Sequence, residues 1–180
     1  MLTMRVRLNP HNDLSQLAHY HVGIITAKLA SGDEDALALD CMSAVVAMAF
    51  ATESVLNYVG HHKLRENWKE RSPFSAKIRL LEEKLRFKYD KAAEPYQTIE
   101  LLKKARDEMA HGKPMEFIVQ VPSTRELGRA MAPTWRAATE PELVVAAFER
   151  VMEFRALLFT KARIKPGAAL TSAAGGGSAA

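Results

Sequence analysis

Three neighbouring side chains could do acid–base chemistry on a phosphate: Arg106, Asp107 and His111, in the stretch Arg106-Asp107-Glu108-Met109-Ala110-His111-Gly112-Lys113-Pro114. Histidine is the side chain whose ordinary pKa suits a general base near neutral pH. A guanidinium can stabilise charge that builds on phosphate oxygens. Asp107 precedes His111 by one helical turn, so its carboxylate is placed to hold the imidazole. Arg106 and His111 are five residues apart, which puts them about 140° apart around a helix axis. The stretch reads as a helix end. Gly112 is expected to supply a left-handed cap, and Pro114 blocks continuation. The helix dipole favours cations at such an end, so an Arg and a His there can also be plain helix punctuation.

The helix that carries these residues should open after Glu94-Pro95 and bury Ile99, Leu102, Ala105 and Met109. Lys103 and Lys104 fall on or beside its polar side. A longer helix is expected upstream, from about Asp35 to His61. Its centre, Ala44 to Ala51, is apolar nearly all round, as in a central buried helix. Val46, Phe50 and Leu56 are its expected core residues. Glu53 and Asn57 lie one turn apart on it. They form either a buried polar pair or a support in which Glu53 orients Arg106.

The other elements follow the same period. Asn12-Asp13 can cap a first helix, with Leu14, Leu17, Ala18, Val22, Ile25 and Leu29 on one face and Ser31-Gly32 at its end. Ser72-Pro73 opens a short third helix that buries Ile78, Leu81 and Leu85. Thr139-Glu-Pro-Glu142 reads as a capping box for the last helix, with Leu143, Ala147, Val151, Phe154 and Leu158 inward. Phe117 to Val121 is a β-type run, expected to form a short extended arm. Beyond Lys165-Pro166 the tail is Gly, Ala and Ser, expected to be disordered. The organisation is one helical bundle over residues 1–165, with a tail at 166–180.

Composition narrows the function classes. A chain of 180 residues with 48% apolar side chains can bury a real core. Its single cysteine, Cys41, cannot form an internal disulfide and reads as a core residue. No signal-peptide pattern opens the chain, and Ala44 to Ala51 is too short to span a bilayer, so a cytoplasmic protein without a membrane role is expected. Residues 61–113 carry 14 basic and 9 acidic side chains, so the positive excess falls on the motif segment. That suits an anionic partner such as RNA, although Lys and Arg interleaved with Glu also make an ordinary solvated face. His19-x-His21 cannot share a helix face, and no cysteine or acidic cluster completes a metal site. No cofactor and no metal are expected.

Arg-Asp-x3-His-Gly, behind an apolar helix with Glu53-Ser54-Val55-Leu56-Asn57-Tyr58, resembles the Arg-x4–6-His signature of the HEPN superfamily. These are small helical domains found in many prokaryotic toxins and RNA-cutting defence proteins. The resemblance covers residues 36–114, and the HEPN-like core would extend to about 164. In that family the residue after the Arg is most often Asn; here it is Asp107. The resemblance implies an all-α fold, an antiparallel four- to five-helix bundle. It implies metal-independent endoribonuclease chemistry, in which His111 draws the proton from a ribose 2′-OH, Arg106 steadies the phosphorane-like charge and Asp107 orients His111. Products would carry 2′,3′-cyclic phosphate ends. Lys103, Lys104 and Lys113 would contact RNA, and Glu53 and Asn57 would support the site. A homodimer with facing motifs is implied, and an antitoxin or other protein partner fits a toxin. The alternative is a non-catalytic HEPN-like module that binds RNA, nucleotides or a protein. Position discriminates: Arg106 and His111 meeting in a basic cleft or a two-fold interface favours cleavage, and the two pointing apart favours binding.

Overall fold

The computed structural model describes residues 4–114, 116, 118–123, 126, 131 and 133–175. Among the described residues five α-helices dominate: α1 Pro10–Ser31, α2 Leu37–Leu64, α3 Phe74–Leu85, α4 Tyr96–His111 and α5 Pro141–Lys161. Two short strands, β1 Met4–Arg7 and β2 Ser172–Gly175, pair antiparallel, with Met4 opposite Gly175 and Arg7 opposite Ser172. The fold is all-α, a helix bundle tied at its termini by this two-stranded clasp.

α2 is the centre, and it packs against each of the other four helices. Twelve of its residues are buried, among them Cys41, Val45, Met48, Val55, Leu56 and Val59. By length and composition α2 could cross a membrane, with a mean hydropathy of 1.5 in its most apolar window. Here 56% of that window is buried inside the protein, which is the condition of a core helix. Gly60, expected near the helix end, sits inside it. A Cβ there would lie 2.2 Å from the Trp68 ring, so glycine lets the indole of the following 3-10 turn close over α2.

The apolar stripes of α3 and α4 lie inward as expected: Ile78, Leu81 and Leu85, then Ile99, Leu102 and Ala105, with Met109 half-buried. Other expectations fail. Leu17 and Leu29 are exposed on α1, and Thr139 donates to Arg136 O instead of capping α5. Phe50 is 43% exposed and Val46 half-buried, whereas Leu56 is fully buried. In a helix apolar all round, the periodicity cannot say which face meets water. Leu143 is exposed and Val144 takes its place in the core. Gly112 is not left-handed: its φ is −58° and ψ 131°. Its role is clearance, since a Cβ would come 2.6 Å from the Glu108 carbonyl oxygen.

The ends differ most from expectation. α1 opens at Pro10, and Asn9 reaches across the chain instead of capping it. Asn9 Nδ2 donates to the carbonyls of Ala169 and Leu170, both at 3.0 Å, and Asn12 Nδ2 donates to Ala169 O at 2.9 Å. Arg7 and the Tyr58 hydroxyl both donate to Ala168 O. The tail expected to be disordered therefore folds back through a 3-10 turn, Pro166–Ala169, into β2, and Ala169 is wholly buried. Residues 176–180 lie outside the described part. Of the expected arm after α4, residues 118–121 form no strand and Ile118 is almost fully exposed; Phe117 is outside the described residues.

Candidate functional site

Arg106 lies on the flank of α4 that faces α2. Its Nη2 donates to Glu53 Oε2 at 3.1 Å, and its guanidinium carbon sits 5.4 Å from the centre of the Phe50 ring. Glu53 also accepts a hydrogen bond from Lys77 Nζ at 2.8 Å. Lys77 is wholly buried, on the same stripe of α3 as Phe74, Ile78 and Leu81. One carboxylate thus binds cations from α3 and α4 to the central helix. A buried ammonium requires such a partner, because an uncompensated charge in that setting is very costly.

Asp107 is engaged away from His111. Lys103 Nζ donates to Asp107 Oδ2 at 2.8 Å, and Arg106 Nε lies 3.2 Å from Asp107 Oδ1 without hydrogen-bonding geometry. Burial raises the Asp107 pKa, but the Lys103 hydrogen bond and the charges of Arg106, Lys103 and His111 outweigh it and hold it below the usual carboxylate value. No hydrogen bond joins Asp107 to His111 among the described residues, so the expected orienting contact is absent from this arrangement. Lys103 at i−4 competes with His111 at i+4, and the flexible ammonium reaches the carboxylate. Asn57 is half-buried, and its Oδ1 has no hydrogen-bond partner among the described residues. It touches neither Arg106 nor Glu53 by a hydrogen bond.

His111 is exposed at the end of α4 and lines an open groove of about 1280 Å³. Met109, Pro114, Met131 and Trp135 supply its apolar walls. Lys103, Lys104 and Lys113 line it, and so do Glu100, Asp107 and Glu108. Among the described residues, three cations face three carboxylates in this groove. Lys104 lies 3.8 Å from Glu108 and Lys103 is held by Asp107, so of the three expected RNA contacts only Lys113 has no ion pair among the described residues. Arg106 does not line this groove. It lines a small neighbouring void with Glu53, Phe74 and Lys103. Arg106 and His111 thus serve separate cavities that adjoin at Lys103.

Among the described residues no group of three or more His, Cys, Asp or Glu side chains could hold a metal ion. Cys41 is buried, and desolvation with nearby carboxylates pushes its thiol up to about 11, so it is no nucleophile near neutral pH. Three participants escaped the sequence reading: Lys77, Phe50 and Trp135. Lys77 had a signal, a lysine on an otherwise apolar stripe. Trp135 had none, because it reaches the groove from a segment without period.

The fold and this cluster define an all-α helix bundle whose central helix is ion-paired to its neighbours. No protein-family model, no curated protein and no solved structure matches the chain.

Proposed function

We propose that this chain is an HEPN-like helical domain that works as a binding module, with the groove beside His111 as its binding surface. The hydrogen bond between Glu53 and Arg106 supports the HEPN resemblance, since it joins the two helices on which the resemblance rests. The observation that carries the binding reading is the separation of Arg106 from His111. A phosphate in the groove would meet the imidazole but not the guanidinium. The mixed charge of the described lining residues and the Trp135, Met109 and Met131 walls suit a polypeptide segment with apolar side chains and mixed charge better than a bare phosphate chain.

A second reading, metal-independent RNA cleavage in the cytoplasm, is favoured by one observation. Arg106 keeps 20% of its side chain exposed, beside the exposed ring of Phe50, where a second copy of the chain could bring its own His111. Lys77, Lys103 and Arg106 outnumber Glu53 and Asp107 there by one charge, which an anion can use.

Trp135 reports on the groove, while Trp68 is buried elsewhere and stays constant. If the groove binds a polypeptide, a peptide alternating leucine with lysine and glutamate should change Trp135 fluorescence saturably. Single-stranded RNA should leave that fluorescence unchanged at physiological salt. Quenching by RNA that weakens steeply with salt, with no response to the peptide, overturns the proposal.

A further inference from the structure

A second hollow, of about 600 Å³, shares no residue with the groove at His111. It lies between α1, α5 and the returning C-terminal segment. Gln16 and His19 line it from α1, Phe148, Met152 and Arg155 from α5, and Leu170 from the segment that follows the 3-10 turn. Its size falls in the range of small-molecule sites, roughly 300–1,000 Å³.

Arg155 is the unusual member. It is half-buried, its guanidinium carbon stands 5.2 Å from the centre of the Phe159 ring, and it makes no ion pair among the described residues. Burial lowers its pKa, with no carboxylate offsetting the effect. Asp13 lines the same hollow but is exposed at the rim and forms no ion pair with it. A partly desolvated cation without an anion is a standing cost that a bound anion relieves. Two turns before Arg155 on the same face of α5, the Phe148 ring lies 5.6 Å from that of His19, tilted at 37°, which gives the hollow an aromatic wall, and Met152 between them along α5 can adapt to the shape of a neighbour. Most other polar groups here are taken. Ser15 donates to His11 O, Asn12 donates to Ala169 O, and the Thr171 hydroxyl accepts the Asn9 amide.

We propose that this hollow binds a small aromatic anion, its carboxylate or phosphate on Arg155 and its ring against His19 and Phe148. Asp13 at the rim disfavours a second negative group, so the ligand carries its charge at one end. The site is independent of the groove and of any action on RNA.

The test titrates the full chain with phenylacetate, phenyl phosphate and neutral benzyl alcohol, following the His19 ring protons by NMR. At least one anion should shift them saturably and bind about tenfold or more tightly than the alcohol. The difference between phenylacetate and phenyl phosphate identifies the anionic group. Arg155→Met, which keeps the packing over Phe159, should abolish the preference for the anion. If that variant fails to fold, added sodium chloride serves: it should weaken the anions in the wild type and leave the alcohol unaffected. Equal affinity for all three probes, an unchanged preference in folded Arg155→Met, or no His19 shift at millimolar concentration overturns the proposal.

Discussion

His11 is wholly buried against Tyr58 and Phe159, with ring centres 4.8 Å and 6.0 Å away. Neither ring nitrogen has a hydrogen-bond partner among the described residues. Desolvation, and then the charge of Arg155, lower its pKa from 6.5 to about 4. The unfolded chain protonates this ring near its ordinary value, so between those two pH values the unfolded state holds the extra proton. The stabilisation is complete above about pH 6.5 and is lost as the pH falls toward 4, by roughly 3 kcal/mol at most. Urea denaturation between pH 7.5 and 4.5 should show the wild type losing clearly more stability than His11→Leu. Parallel losses would mean that His11 takes up its proton without disturbing the fold. The residue scale also separates two aromatic and aliphatic neighbours on α2. Leu56, fully buried, belongs to the core, whereas Phe50 supports Arg106 from the surface.

α2, α3 and α4 meet at the Glu53 carboxylate. Lys77 is wholly buried, and Glu53 is the carboxylate it pairs with. Glu53→Ala should therefore destabilise the bundle by roughly 3–5 kcal/mol, because it leaves a buried ammonium alone. Lys77→Met, which removes that charge and keeps the stem, should be near neutral or stabilising. Chemical denaturation of the two variants measures the contrast. A mild Glu53→Ala beside a damaging Lys77→Met would show that the pair is not held together by this logic. Periodicity made much of this scale legible. The stripes of α3 and α4 are inward because i, i+3, i+4 spacing leaves no other face to bury. It failed at Phe50 and Val46, where every face is apolar, and at Gly112, where the constraint is a close approach rather than a positive φ. The candidate site was legible as residues but not as contacts. Spacing brings Asp107 equally near Lys103 and His111, and only the folded side chains decide between them.

At the scale of the whole molecule, the two termini close the bundle. The clasp is held by main-chain carbonyls of Ala168, Ala169 and Leu170, which accept from Arg7, Asn9, Asn12 and Tyr58. Any residue type supplies such carbonyls, so an Ala- and Gly-rich tail carries no sign of them. Deleting residues 166–180 removes six hydrogen bonds to the rest of the chain, each worth roughly 1 kcal/mol, besides the pairing of β1 with β2. The melting temperature should fall by roughly 10 °C or more. An unchanged melting temperature would show that the clasp contributes nothing to stability.

Within one chain Arg106 stays on Glu53 and away from His111, which is the ground for proposing that the protein binds rather than cuts. The direct measurement is incubation of the full chain with single-stranded RNA in EDTA, beside His111→Ala and Arg106→Ala, with the RNA ends analysed. Intact RNA is expected in all three. RNA cut by the wild type to 2′,3′-cyclic phosphate ends, and spared by both folded variants, would contradict the proposal and put the two-copy nuclease in its place.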